Sequence, residues 1–287
     1  MTSIKKLATA ALLALGLLAL FAGPASAMKY SLNIAHPEGL SIGTLNAGGM
    51  ATDSAGNLYV AEPAKIEKFD SSGKYLSSFP ATGQTGTVKD VDIDSSGNIW
   101  VISARMLTKY NATGTLLKSI SLTEEAFADA TAPTGITYAA EWGMSWGYDT
   151  NGTLTSFLST GGAGALPTSD IDIDSSGRAW SARPSGNEVR AFDATGKLVK
   201  SWSLPNVPAG LAADNSGNVW AAEPGSCRVR KYNSSGTAVE SFGECSGVAT
   251  PGKFVSVLMP HERPGIASGP SGAVWVSNGT EVQKWIP

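Results

Sequence analysis

Two stretches of the chain set carboxylates at alternate positions: Asp90-Val91-Asp92-Ile93-Asp94 and Asp170-Ile171-Asp172-Ile173-Asp174. Alternate residues of an extended strand share a face, so each run concentrates negative charge along one side of one strand. Carboxylates gathered in this way can bind Ca²⁺ or another hard divalent cation, which takes six to eight oxygens. They can equally accept hydrogen bonds from backbone N–H or Ser/Thr hydroxyls, with Asp94 and Asp174 forming turns. Asp90, Asp92, Asp170 and Asp172 are therefore the candidate metal ligands. An EF-hand reading of Asp92-x-Asp94-x-Ser96-Gly97 fails, because the twelfth position needs Glu and holds Ser103 here and Arg183 in the second run.

Other chemistry is thinly supplied. Two His exclude a His-rich zinc or copper site. His36 falls in an amino-terminal connection, and His261-Glu262-Arg263 in a long insertion could act as a general-base cluster. His261 and Glu262 are the catalytic candidates, although exposed loop histidines are commonly incidental. No Gly-x-Ser-x-Gly string offers a nucleophile elbow. Glu62, Arg105, Arg183, Glu223 and Asn278 could together read a polar, partly anionic ligand, or simply pair with one another. Trp142 and Trp146 could stack a sugar or peptide.

What must position these groups is a repeat. DSAGNLYVAE from Asp53 recurs as DSSGNIWVIS from Asp94, DSSGRAWSAR from Asp174 and DNSGNVWAAE from Asp214, with a weaker GPSGAVWVSN from Gly269. A second string follows each at a fixed offset, as in KFDSSGKYLSSF from Lys68, KYNATGTLLKSI from Lys109 and KYNSSGTAVESF from Lys231. GYDTNGTLTSFL from Gly147 marks a unit whose first half has decayed. The aromatic before the second turn falls at Phe69, Tyr110, Tyr148, Phe192, Tyr232 and Trp285, in steps of 41, 38, 44, 40 and 53 residues, the size of a propeller blade with the last step lengthened by an insertion. Each unit reads as four short strands: Asp-x-x-Gly turns, alternating apolar residues and no helical period between them. Units this small must cover one another's faces, and a ring does so.

The expected fold is therefore all-β, a six-bladed propeller of four-stranded antiparallel blades. The sixth unit ends after its third strand, and Met28 to Ile34 is expected to supply the fourth. Asp-x-x-Gly turns crowd one face. The second-to-third loops and inter-blade connections form a variable face, where function is expected. Tyr59, Trp100, Trp180, Trp220 and Trp275 occupy one repeat position and read as core between blades, not as a sugar ladder.

The repeat resembles the NHL family, whose pattern stands here as Gly49-Met50-Ala51-Thr52-Asp53-Ser54-Ala55-Gly56-Asn57-Leu58-Tyr59-Val60-Ala61-Glu62 and again from Gly210 to Glu223. Glu62, Glu223, Arg183 and Asn278 stand where many such repeats carry Asp. The resemblance implies a propeller that serves as a binding scaffold, a lyase or a sugar-lactone hydrolase. Gluconolactonase-like propellers hold one divalent cation at the axis with Glu, Asn and Asp, a set that Asp90, Asp170 and Asn278 could imitate. Streptogramin-type lyases are similar in form; amidating lyases need more His than this chain has.

Composition and address complete the expectation. With 287 residues, 42% hydrophobic content and a net charge of −3, the chain can build a core and lacks the basic footprint of a nucleic-acid binder. Lys5 and Lys6, the apolar run Leu7 to Ala22 and the exit Ala25-Ser26-Ala27 read as a signal peptide over residues 1–27, cleaved before a single propeller domain at 28–287. No later stretch reaches the ~20 apolar residues of a membrane span. Cys227 and Cys245 are expected to pair in an oxidising compartment, secreted or periplasmic. The expected role is a monomeric, non-catalytic binding module for a protein, a cell-envelope glycan or a small polar ligand. The alternative is a divalent-metal-dependent lactonase-like hydrolase or lyase with an Asp-rich axial site.

Overall fold

The computed structural model describes residues 28–34, 49–160, 168–248, 250–255, 264–277 and 281–287. The expected leader, His36, His261, Glu262 and Asn278 lie outside the described residues.

Six antiparallel four-stranded sheets form a closed ring. The first blade comprises Met50–Thr52, Leu58–Glu62, Lys65–Phe69 and Tyr75–Pro80. The innermost strands of blades two to six are Val88–Ile93, Ala128–Thr131, Asp170–Ile173, Gly210–Ala213 and Ile266–Ser268. Blade six contains Ile266–Ser268, Val274–Ser277 and Val282–Ile286, and its outermost strand is Lys29–Ile34 from the opposite end of the chain. Ile34 pairs with Val282 and Lys29 with Ile286, so the two termini are stitched in one sheet. Met28 and Ile34 are buried, and Tyr30 packs edge-on against Trp285 at 5.9 Å.

The repeated Asp-x-x-Gly string folds the same way each time. Asp94 Oδ1 accepts N–H bonds from Ser96 and Asn98, and Gly97 takes the positive φ of 77° that the turn demands. Its Oδ2 accepts the indole N–H of Trp100 at 3.4 Å and meets Lys109 Nζ at 3.1 Å, while that ammonium sits 4.9 Å from the Trp100 ring centroid. Asp53 with Tyr59 and Lys68 repeats this clamp, and Lys231 joins Asp214 to Trp220. Tyr59, Trp100, Trp180, Trp220 and Trp275 are all buried between blades, as their shared repeat position predicts.

On the other face, second-to-third turns bond to the connections entering the next blade: Val88 N–H donates to Pro63 O, and Ala126 N–H to Ala104 O. A disulfide joins Cys227, in such a turn of blade five, to Cys245, which opens the following segment; that segment adds a two-stranded parallel pair, Cys245–Ser246 with Phe254–Val255. Among the described residues no helix is long and apolar enough to cross a membrane.

Two predictions follow from closure and cross-link. Removing residues 28–34 strips two buried apolar side chains at about 1.5–3 kcal/mol each and should lower the thermal midpoint by about 10 °C or more; an unchanged midpoint would contradict closure by this strand. The disulfide spans 18 residues, a loop whose closure is worth about 3 kcal/mol. Reduction should therefore lower the midpoint of the folded protein by several degrees, with its strand content intact by circular dichroism.

Candidate functional site

The inner strands surround an axial channel with a volume of about 540 Å³. Neighbouring inner strands diverge, so their lumen-facing backbone groups lack a sheet partner and must be satisfied otherwise. Aspartate does this at two junctions. Asp90 accepts from Val91 N–H at 2.8 Å and, across the junction, from Asp129 N–H at 3.2 Å. Asp92 accepts from Thr131 N–H at 2.5 Å. Asp170 and Asp172 reach Leu211 N–H at 2.6 Å and Ala213 N–H at 2.7 Å. Blades two and four are thereby tied to blades three and five. Small residues leave the space: a Cβ on Gly49 would lie 1.4 Å from Asp90 Oδ1.

The four expected metal candidates all line the channel, together with Asp129, which sequence reasoning did not single out. Each of the four is engaged with backbone N–H groups, and among the described residues no three His, Cys, Asp or Glu side chains converge to hold a metal ion. Of the set that could imitate a gluconolactonase-like centre, Asp90 and Asp170 line the channel, and Asn278 lies outside the described residues.

Burial raises the lumen carboxyls. It pushes Asp92 up to about 6, against the N–H groups of Ile93 and Thr131. Asp90 and Asp129 are raised well above the carboxylate range by burial and by neighbouring carboxylates, and Asp172 by burial and Asp92. A fifth unusual acid, Glu141, directly follows the second strand of blade three, Thr137–Ala140. It is 2% exposed and its Oε1 has no hydrogen-bond partner; burial followed by Glu124 pushes it up to about 7, against a hydrogen bond from Trp146 and the charge of Arg105. Glu223 ends the corresponding strand of blade five, where Arg230, Tyr232 and Asn206 hold it. Blade three has Trp146 at the register position of Arg230, so its acid lacks that cation.

The same blade contributes aromatic residues beside the channel. Trp142 is 53% exposed and packs edge-on against Phe127 at 5.6 Å. Phe127 lines the channel, and Lys89 Nζ lies 4.4 Å from its ring centroid while pairing with Glu125. Trp146 is half-buried against Phe157 at 5.8 Å.

The ring of charges read from the sequence is dispersed. Arg183 pairs with Glu188 at 2.9 Å, and the exposed Arg105 donates to Thr123 O at 2.8 Å and meets Glu124 at 3.4 Å. Glu62 is buried beside Lys65, and none of Glu62, Arg105, Arg183 and Glu223 lines the channel. Asp129, Glu141, Lys89 and Phe127 were missed because blade three and the connections depart from the repeat. Aligning the inner strands position by position would have exposed Asp129 as an acid in an apolar column.

No protein-family model matches the chain, and neither does any curated protein sequence. Solved structures do resemble it. A streptogramin B lyase structure superposes with a TM-score of 0.64 at 16% identity, covering 90% of this chain and 97% of that one. Selenomethionine-substituted virginiamycin B lyase from Staphylococcus aureus gives 0.60 at 16% identity, covering 91% and 89%. At this identity the likeness concerns the fold.

The titrating groups predict an unusual pH profile. Acids with raised folded-state values bind protons that the unfolded chain has released, so their contribution is complete below about pH 4 and lost as pH rises through about 6 to 7. At Asp53, Asp94 and Asp214 burial is outweighed by the hydrogen bonds of the turns and by their lysines, which lowers the pKa; that stabilisation is lost only as pH falls below about 4. The thermal midpoint should peak near pH 4–5 and fall by several degrees towards pH 8. Glu141→Gln should flatten part of that fall. A midpoint that climbs steadily from pH 5 to 8 would contradict the assignment.

Proposed function

We propose that this chain is an exported propeller of the NHL type that acts as a binding module, holding a glycan or other small polar ring at the variable-face mouth of its channel. The observation that carries this reading is the exposed Trp142 supported by Phe127 beside Lys89, in the blade that departs most from the repeat. An apolar ring in water next to a charged amine suits a ligand with one flat face and polar edges. Rigid flanking blades hold the platform, which limits the ordering cost of binding. Export is supported by the amino-terminal pattern and by a disulfide, a bond that persists in oxidising compartments.

A second reading has its own support. The fold likeness to a streptogramin B lyase and a virginiamycin B lyase extends over about nine-tenths of this chain, which favours the lyase arm of the alternative over the metal-dependent lactonase. Function nonetheless resides in sites and not in folds, and the exposed rim gives the binding reading its advantage.

The two readings separate experimentally. Titration calorimetry with N-acetylglucosamine oligomers and peptidoglycan fragments should find a saturable ligand, and Trp142→Ala should weaken it about tenfold. Absence of binding across that panel would count against the glycan reading. Incubation with virginiamycin B followed by mass spectrometry tests the other: turnover would establish a lyase, and unaltered substrate would remove it.

A further inference from the structure

The inner-strand register isolates one residue. Pairing of the first two strands places Met50, Val91, Ile171, Leu211 and Ile266 at a single position in blades one, two, four, five and six. All five are apolar and buried. Blade three puts Asp129 there, opposite Ala139. Asp129 is 3% exposed, lines the channel, and neither of its carboxyl oxygens has a hydrogen-bond partner. An unsatisfied acid in an apolar column costs several kcal/mol in general, and packing supplies no reason for it. Asp90 adjoins it, accepting the Asp129 N–H at 3.2 Å, and Asp170 lines the same channel. The lysine at the mouth does not neutralise them, because Lys89 is engaged with Glu125 and Ala126 O.

We propose that the lumen binds an organic cation through a primary ammonium group held by Asp129, in a channel that Asp90 and Asp170 also line. An ammonium brings one positive charge and three N–H donors, which answers both deficits of Asp129. The choice of an amine over a bare metal ion rests on spacing. No three acids converge on one point among the described residues, so the acceptors suit a ligand whose donors are spread along a chain. The channel, at about 540 Å³, admits a short diamine with its water. This site stands on lumen residues alone and goes beyond the rim reading.

Putrescine is the probe. In calorimetry at pH 8 and constant ionic strength it should bind saturably, one per chain, and raise the thermal midpoint by several degrees. At pH 5 its affinity should fall at least tenfold, since protonated carboxyls no longer pair with it. Asp129→Asn should weaken binding at least tenfold. Asp129→Leu restores the residue type of the other blades, so it should fold well and lose putrescine binding altogether. CaCl₂ and MgCl₂ are titrated in parallel. Saturable binding of either metal without putrescine binding would overturn the proposal in favour of a metal site. No binding of any probe, or unchanged putrescine affinity in Asp129→Leu, would overturn it as well. Trp142→Ala should leave putrescine binding intact and Asp129→Leu should leave glycan binding intact, so failure of one site is distinguishable from failure of the other.

Discussion

Inside a ring of radiating sheets, the innermost strands of adjacent blades diverge and cannot complete each other's hydrogen-bond ladders. Every lumen-facing N–H and C=O there needs a partner, or the ring carries the cost of buried unpaired polar groups. The junctions solve this differently. Gly49 N–H donates directly to Lys89 O between blades one and two. Asp90, Asp92, Asp170 and Asp172 bridge two–three and four–five. Ser268 reaches Ala213 O between five and six, and Thr52 reaches Ser268 O between six and one. The carboxylates that looked like metal ligands are thus part of the closure of the ring. Their cost is a lumen crowded with like charges, and that crowding gives the channel its chemistry.

The outer parts of the blades are held by a more uniform device. In blades one, two and five an Asp organises its own turn and receives a Lys from the third strand, beside an aromatic ring of the second. This clamp absorbs most polar groups of the turn face and leaves the variable face free to differ. Blade three uses that freedom most. Its first half has lost the Asp-x-x-Gly-Asn string, and with it the ordinary residue at three places. Asp129 replaces an apolar inner residue, Glu141 keeps an acid without its cation, and Trp142 stands exposed. Such concentrated breaches of local rules are where function is expected in an otherwise consistent fold.

A ring of this kind says little about chemistry by itself. A streptogramin B lyase and a virginiamycin B lyase share its form at 16% identity, and the same scaffold can carry unrelated sites at its mouth. The distinguishing features of this chain are local: a half-exposed aromatic pair, an engaged lysine, and one buried acid without a partner.

Much of the architecture could be read from the residues alone. Turns, strand alternation, a spacing of roughly 40 residues and a missing last strand dictate six blades closed by Met28 to Ile34, because those features are local and recur. The Cys227–Cys245 pairing was legible for the same reason, since both cysteines fall in connections that the repeat assigns to one face. The site was less legible. The sequence marked Asp90 and Asp170 as acidic, but only the tertiary structure decided that their oxygens serve the N–H groups of Asp129 and Leu211. Glu223 is likewise neutralised by Arg230 within its own blade, whereas Glu141, its counterpart, is not. Whether a carboxylate is a hydrogen-bond bridge, half of an ion pair or an unsatisfied acid depends on which atoms another blade brings within about 3 Å. That proximity is a property of the closed ring, and no single repeat contains it.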